Sequence, residues 1–358
     1  MIIGIAGISL MAACGTQQGA AVATVAAGVS GVSGGTLTET GSTLLQPLMA
    51  EWAAAYHRQF PGTTVQVTGG GSTQGIDDAS SGKADIGASD AYLSSGDLLK
   101  NPDLLNIPLA VSAQSVIYNL PELPPGTHVN LNGAVLAGMY GGSITTWDNP
   151  AIQAINPGVS LPAIPVVPVH RATGSGDTFI FTSYLSSEDA AWNDDVGYGT
   201  LVKWPSVSGE RQASSSGTMV SQCAQIAGCV GYNGVSYLAQ EQKAGLGEAA
   251  LENTGGAYTL PSPATIAAEL GYYVPVMPAN ESISMISGPG SNGYPVINFE
   301  YVIVSTRQPS AAKARQMQAF LRWVVSSPAA TSLAATVGFQ QLPSDVQRLS
   351  LTQIQEIR

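Results

Sequence analysis

Charged side chains are scarce in this chain of 358 residues, positive ones especially. Lys and Arg number 13 and Asp and Glu 24, which gives a formal net charge of −11 at pH 7. Nucleic-acid-binding domains need a basic face, so this balance argues against that class. It does not exclude a small anionic ligand. Net charge acts on solubility and long-range fields, whereas a buried site depends on local dipoles and N–H donors.

Several enzyme motifs are also missing or out of place. No G-x-x-x-x-G-K-[ST] occurs, and the run GGGSTQ has Gln74 where the dinucleotide motif needs glycine. A G-x-S-x-G match at 31–35 lies in a tract of small residues rather than at a strand–turn–helix. Three histidines are far apart, and spacing alone leaves a Ser-His-Asp triad open. We interpret His57 and His128 as solvated residues and His170 as packing at a strand end.

The opening of the chain holds no charged residue before Glu39. Residues 2–13 form an apolar run too short to span a bilayer comfortably, which is typical of a signal peptide. The run ends in LMAAC, close to a lipobox, so we predict a lipoprotein signal peptide over residues 1–14 with Cys14 lipidated. A buried N-terminal apolar segment is the alternative. Residues 15–35, small and without periodicity, predict a flexible tether.

Cysteine is also scarce: besides Cys14, the chain contains only Cys223 and Cys229. The two flank a short loop, and an exported protein favours a disulfide between them. A metal pair and two free thiols are the alternatives. The chain offers no histidine nearby, and two ligands are too few for zinc. We therefore expect no metal and no cofactor.

The segment HRATGSGDT, residues 170–178, combines a guanidinium, a flexible turn, a hydroxyl and a carboxylate at the start of a predicted helix. Helix starts offer unpaired N–H groups and a positive dipole end, and glycine lets the backbone approach a ligand. Arg171 adds a planar fork suited to phosphate oxygens. These features indicate an anion site. The alternative is that Ser175 or Asp177 only caps the helix.

Two further strand-to-helix turns, at residues 40–47 and 69–76, also offer hydroxyls and exposed amides, and DIGASDA at 85–91 adds a carboxylate. Ligands of open α/β sheets bind at such turns. Apolar spacing predicts a helix over 43–60, and β-prone runs predict strands that alternate with helices along the chain. This alternation predicts an α/β protein with mainly parallel sheets.

The segments GSTLLQPL, GGGSTQGI, ADIGASDAYLS and HRATGSGDTF resemble, in order and spacing, the four ligand segments of the PstS family, the phosphate-binding subunits of phosphate ABC transporters. GSGDTFIFTSYLS and the lipoprotein-like N-terminus most resemble the mycobacterial lipoprotein branch. The resemblance covers roughly residues 36–345. It implies a class II periplasmic-binding-protein fold with two α/β lobes joined by a two-strand hinge. We place lobe I at 36–115 and 302–358, and lobe II at 116–301.

The resemblance implies that the protein binds inorganic phosphate, passes it to the permease subunits of an ABC transporter, and is lipid-anchored on the extracytoplasmic face of the cell membrane. It implies backbone contacts from Leu44 and Gly176, the positive charge of Arg171, and Asp90 as acceptor of a phosphate proton. The implied ligand residues are Ser42, Thr43, Leu44, Ser72, Asp90, Arg171, Ser175, Gly176 and Asp177.

Asp177 stands where many relatives have threonine, and two roles are open for it. It accepts a second proton from phosphate, or it pairs with Arg171 and fixes the guanidinium, which we favour because paired charges offset each other. Two other functions are alternatives. A phosphatase or phosphoryl-transfer enzyme needs a nucleophile with a base, or a metal cluster, and neither is visible. A surface adhesin or scaffold keeps the fold without the ligand.

Overall fold

A computed structural model describes residues 34–358, so Cys14, the predicted signal peptide and all of the predicted tether up to residue 33 lie outside the described residues. The first strand begins at Gly35, the last residue that we assigned to the tether. Residues 34–358 contain twelve strands: β1 (Gly35–Gly41), β2 (Thr63–Gly69), β3 (Ile86–Ser89), β4 (Leu104–Tyr118), β5 (Asn130–Leu131), β6 (Val167–Arg171), β7 (Arg211–Ala213), β8 (Cys229–Gly234), β9 (Gly247–Glu248), β10 (Ala250–Glu252), β11 (Tyr258–Thr259) and β12 (Ile297–Ser305).

Helices alternate with these strands, as the sequence predicts. Short 3₁₀ turns at Val235–Tyr237 and Val274–Val276 accompany them. The helices in this part of the chain are α1 (Gln46–Gln59), α2 (Ser72–Ser80), α3 (Ser95–Lys100), α4 (Gly133–Gly141), α5 (Pro150–Ala154), α6 (Gly176–Glu188), α7 (Ala190–Asp195), α8 (Ser216–Gln225), α9 (Leu238–Lys243), α10 (Pro263–Tyr273), α11 (Ala311–Ser326), α12 (Pro328–Thr336) and α13 (Ser344–Gln355).

One large sheet runs through the molecule in the order β2-β1-β3-β12-β4-β8-β6-β7, and β9 adds to β4. The β2-β1-β3 end and the β8-β6-β7 end are parallel. The central strands β12 and β4 pair antiparallel with each other and with their neighbours. A small sheet of β11, β10 and β5 lies apart. This arrangement confirms the predicted α/β class, with two parallel ends joined by two long strands.

The strand β4 belongs to both ends. Its residues 104–113 pair with β12, and its residues 114–118 pair with β8. The lobe limits 36–115 with 302–358 and 116–301 stay a prediction. Helix α1 begins at Gln46 rather than at residue 43, because residues 42–45 form the turn that follows β1.

Each end of the sheet has its own group of aromatic rings. At the β2-β1-β3 end the Tyr56 ring packs edge-on against Phe320 and Trp323, with ring centroids 5.2 and 5.4 Å apart. At the other end Phe181 stacks on Tyr232 at 4.4 Å. Both groups of rings belong to one hydrophobic core that extends through both ends of the sheet.

Cys223 and Cys229 form the predicted disulfide, which joins the end of α8 to the start of β8. Both cysteines are fully buried. Among residues 34–358, no helix is both long enough and apolar enough to cross a membrane.

Candidate anion-binding site

The predicted ligand residues lie at the carboxyl ends of the parallel strands, where the two ends of the sheet meet. The eight that have side chains are at most 6% exposed, so solvent does not reach them in this conformation. Those buried positions are Ser42, Thr43, Leu44, Ser72, Asp90, Arg171, Ser175 and Asp177, with Gly176 buried beside them.

Asp90 is the centre of the first half of the site. It follows β3 directly, and its carboxylate accepts hydrogen bonds from the hydroxyls of Ser42 and Ser72. The Asp90 N–H in turn donates to Ser72 Oγ at 3.1 Å. Ser42 is held by the Leu45 N–H, which donates to its Oγ at 3.0 Å. The turns after β1 and before α2 therefore meet at one carboxylate.

Arg171 is the centre of the second half. It ends β6, and its Nη1 donates to Asp177 Oδ2 at 2.8 Å. The Tyr232 hydroxyl receives the Arg171 backbone N–H at 3.0 Å, and the Ser214 carbonyl accepts from Nη2 at 3.3 Å. Asp177 thus makes the contact with Arg171 that the favoured interpretation requires.

Gly176 brings the two halves into contact at the start of α6. A Cβ built on it would lie 2.4 Å from Asp90 Oδ2 and 2.5 Å from Ser72 Oγ. No side chain fits there without displacing Asp90. Gly71 makes a second close approach, with φ of 95° and its own Cβ position 2.3 Å from the Gly174 carbonyl oxygen.

Thr43 also spans the two halves. Its hydroxyl lies 2.8 Å from Ser216 Oγ and accepts from the Ser216 N–H at 3.2 Å. Ser216 Oγ then donates to Asp177 Oδ2 at 2.8 Å. Leu44 lies at the same seam, where its carbonyl accepts from Ser236 Oγ at 2.8 Å and its side chain packs on Gly234.

Two buried donors at this site have no hydrogen-bond partner within residues 34–358: Arg171 Nε and Ser175 Oγ. Ser175 is the N-cap residue of α6, yet its side chain does not cap the helix. The capping alternative therefore fails for Ser175. Unpaired buried donors are costly, so they indicate a ligand that accepts hydrogen bonds. The positive end of α6 faces the same point.

Four residues at the site were not predicted from the sequence. Ser216 starts α8, after the run SSSGT, which has the same hydroxyl-and-glycine character as the predicted turns. Gln114 on β4 donates through Nε2 to the Asp177 carbonyl at 2.9 Å and to its Oδ1 at 3.3 Å. On β12, Asn298 donates to the Asp90 carbonyl at 2.7 Å, and Glu300 contacts the Asp90 carboxylate.

The signal for three of these was a polar residue inside an apolar strand. Gln114 interrupts AVSAQSVIY, and Asn298 and Glu300 interrupt VINFEYVIV at a spacing of two. Strand residues two apart face the same side of a sheet. The long joining strands thus supply polar side chains below the site as well as linking the two ends.

The carboxyl groups of the site differ in their protonation. Burial raises the pKa of Asp90, while hydrogen bonds from Glu300 and Ser42 and the charge of Arg171 act against the rise. Burial, then the negative charge of Asp90, raises the pKa of Asp177 to about 6, which Arg171 opposes. Burial raises the pKa of Glu300 well above its ordinary value, and Asp90 raises it further. Burial and the neighbouring Asp90 therefore both favour the neutral form of Glu300.

The histidines do not enter this chemistry. His170 stacks on Trp204 with ring centroids 4.7 Å apart and is 4% exposed, which confirms the predicted packing role. His57 Nδ1 bonds the Thr63 carbonyl and His128 Nδ1 the Glu248 carbonyl, away from the site. Within residues 34–358, no group of three or more His, Cys, Asp or Glu is placed to hold a metal ion.

Comparison with known proteins identifies the family of the chain. The family model described as a PBP superfamily domain matches residues 19–328. The phosphate-binding protein PstS of Methanocaldococcus jannaschii is 32% identical over 342 residues, which cover 89% of this chain and 85% of the relative. The chain belongs to the PstS family. The phosphate-binding protein PstS 3 of Mycobacterium leprae is 30% identical over 341 residues, with 88% and 86% of the two chains covered.

A solved structure of a phosphate-binding protein has the same fold as this PstS-family chain. The phosphate-binding protein from Stenotrophomonas maltophilia superimposes with a TM-score of 0.70 at 17% identity, over 89% of this chain and 93% of that one. The predicted two-lobed periplasmic-binding-protein fold is thereby confirmed.

Proposed function

We propose that this PstS-family protein binds inorganic phosphate between its two lobes and delivers it to the membrane subunits of an ABC transporter for import. The observation that carries the proposal is that the same buried site contains donors that need an acceptor and a carboxylate that needs donors. Arg171 Nε and Ser175 Oγ find no acceptor in the described part of the chain, while Asp90 accepts hydrogen bonds. A protonated tetrahedral oxyanion satisfies both.

We propose the following roles for the site residues. Arg171 supplies the one positive charge, and the N–H groups at the starts of α2 and α6 add dipoles. When the ligand binds, the hydroxyls of Ser42 and Ser72 turn from Asp90 to the ligand and donate to it with those of Thr43 and Ser175. Leu44 and Gly176 bind it through backbone N–H. Asp90 accepts a phosphate proton. Sulfate has no proton at neutral pH, so a carboxylate at this position repels it.

Calorimetry on refolded, phosphate-free protein tests the proposal. We expect heat of binding with phosphate and none with sulfate at the same concentration. Absence of phosphate binding would favour the scaffold alternative. We also propose that the protein is not an enzyme. Catalytic turnover of an aryl phosphate, lost in Arg171→Ala, would contradict that part.

We further propose that the mature protein is a lipoprotein of the mycobacterial branch, anchored through Cys14 to the extracytoplasmic face of the membrane. The lipobox-like LMAAC and the M. leprae relative support this placement. Metabolic labelling with a palmitate analogue is the test. We expect label on the wild-type chain and none on Cys14→Ser. Equal labelling of both would contradict a lipid anchor at Cys14.

A further inference from the structure

Glu300 is a buried carboxyl group for which phosphate binding by itself gives no role. It lies on β12 and is 0% exposed. The register of the β4–β12 pair shifts by one residue between Glu300 and Tyr301, and such bulges re-aim side chains. Tyr301 pairs with Ser89 in the antiparallel β12–β3 ladder, which places Glu300 opposite Asp90, and each of the two carboxyl groups shifts the pKa of the other. Ser112 Oγ donates to Glu300 Oε1.

Two carboxyl groups in hydrogen-bond contact must share at least one proton, because two carboxylates offer only acceptors. The neighbours decide which group holds it. Asp90 receives the hydroxyls of Ser42 and Ser72 and lies near Arg171, all of which favour its ionised form. Glu300 has the hydroxyl of Ser112 on Oε1, and its Oε2 receives no donor within residues 34–358. Oε2 is therefore the oxygen free to carry a proton.

We propose that Glu300 is a positioning residue that keeps this proton and uses it to donate a hydrogen bond to Asp90. Asp90 thereby stays ionised and remains an acceptor for the ligand. The inference rests on the proposed phosphate function and explains why the site selects phosphate over sulfate. Without a donor at position 300, a buried Asp90 takes up a proton itself. A protonated Asp90 donates a hydrogen bond, and sulfate then becomes an acceptable ligand.

Three variants of the full-length protein separate this role from a merely structural one. Glu300→Gln keeps a neutral donor, because the Ser112 hydroxyl holds the amide oxygen and leaves the NH₂ toward Asp90. Glu300→Leu fills the space without a donor. Glu281→Gln is the matched control, since Glu281 is also fully buried and also accepts from a serine, Ser350, in a different part of the molecule.

We expect the ratio of sulfate to phosphate dissociation constants to fall about 10- to 100-fold in Glu300→Leu. The ratio should stay at the wild-type value in Glu300→Gln and Glu281→Gln. A folded Glu300→Leu with the wild-type ratio would overturn the proposal, and so would a Glu300→Gln that loses selectivity as Glu300→Leu does.

The pH profile gives a readout that does not need Glu300→Leu to fold. The charged groups that face the pair are Arg171 and Asp177. When Glu300 loses its proton at alkaline pH, it adds a second carboxylate beside Asp90, so wild-type phosphate affinity should fall. Glu300→Gln removes that step and should flatten the alkaline fall, whereas Glu281→Gln should follow the wild type. Parallel profiles for Glu300→Gln and wild type would contradict the inference.

Infrared spectroscopy locates the proton without any ligand. We expect the wild-type spectrum to contain a C=O stretching band from the buried Glu300 carboxylic acid, beside the bands of Glu39, Glu241 and Glu281, whose pKa burial raises to about 8. Glu300→Gln should remove that band and Glu281→Gln should not. A wild-type protein that shows the band but binds no phosphate would refute the proposed function alone. Phosphate binding with no such band would refute the role of Glu300 alone.

Discussion

Arg171 and Asp177 form an ion pair with an N–O distance of 2.8 Å, in which each side chain is only 1% exposed. Ser216 and Gln114 also donate to the Asp177 carboxylate. Arg171 and Ser216 both donate to Oδ2 and Gln114 donates to Oδ1, so the Asp177 carboxylate is fixed against the guanidinium. This geometry supports the interpretation of Asp177 as the partner of Arg171 rather than as a second acceptor of phosphate protons.

Replacement of the guanidinium tests the main electrostatic contact. Arg171→Ala should weaken phosphate binding by on the order of 2–4 kcal/mol, because it removes a desolvated charge-assisted donor. Calorimetry measures the loss, and circular dichroism checks that the variant folds despite the unpaired Asp177. An affinity within about threefold of wild type, under ~1 kcal/mol, would show that Arg171 is structural only.

Removal of the Asp90 charge tests selectivity. Asp90→Asn should weaken discrimination against sulfate more than it weakens phosphate binding, because the amide keeps the shape and an acceptor oxygen but loses the repulsion. Competition titrations with both anions provide the measurement. Unchanged rejection of sulfate would remove Asp90 from its proposed role.

The role of Asp177 can be read from the pH dependence. Burial raises its pKa to about 6, so Asp177 is ionised and pairs with Arg171 above that pH and loses the pairing as pH falls through it. Asp177→Thr should therefore lower phosphate affinity above about pH 6 and approach the wild type below it. Binding should be measured across the second ionisation of phosphate. A steep wild-type fall at high pH that Asp177→Thr abolishes would instead assign Asp177 to a ligand proton.

Close approach of the lobes depends on a glycine. Gly176→Ala places a Cβ 2.4 Å from Asp90 Oδ2, so closure around the ligand should fail and phosphate affinity should drop at least about tenfold. Gly271→Ala is the control, because a Cβ at that helical position meets nothing within 4 Å. Equal affinity of the two variants would show that the lobes do not close at Gly176.

Glu39 gives a stability prediction outside the binding residues. Burial raises its pKa from 4.5 to about 8, and a backbone hydrogen bond at Thr68 opposes the rise. An acid whose pKa is higher in the folded protein contributes its full stability below its pKa in the unfolded chain. That contribution is lost as the pH rises through its pKa in the folded protein. The free energy of unfolding of the wild type should therefore decrease over that pH range, and that of Glu39→Gln should decrease by up to roughly 4 kcal/mol less. Urea denaturation at a series of pH values measures both. Glu51→Gln, at an exposed position of α1, should match the wild type.

Much of the site could be predicted from the sequence because its parts are local. Turns rich in glycine and hydroxyl residues between a strand and a helix are visible in the sequence. They hold Ser42 in the turn after β1, and Ser72 and Ser175 at helix starts. The disulfide followed from a short loop in an exported chain. The helix predicted over 43–60 shows the usual weakness at boundaries, since its first residues serve the turn instead.

The contributions of the joining strands could not be predicted in the same way. Gln114, Asn298 and Glu300 each look like an isolated polar residue in an apolar strand. Their function depends on the pairing of β4 and β12 with each other and with their neighbours, which places Gln114 at Asp177 and places Asn298 and Glu300 at Asp90. A shift of one residue would turn these side chains to the other face of the sheet.

The sequence by itself therefore determined the α/β class, the family, the turns that present donors and the identity of the charged residues. These are local features, set by backbone conformation and hydrogen-bonding capacity. Only the tertiary structure placed Glu300 opposite Asp90 and joined Ser216 and Gln114 to the Asp177 carboxylate. Protonation depends on burial and on neighbours a few ångströms away in space, and most of those neighbours are remote in sequence.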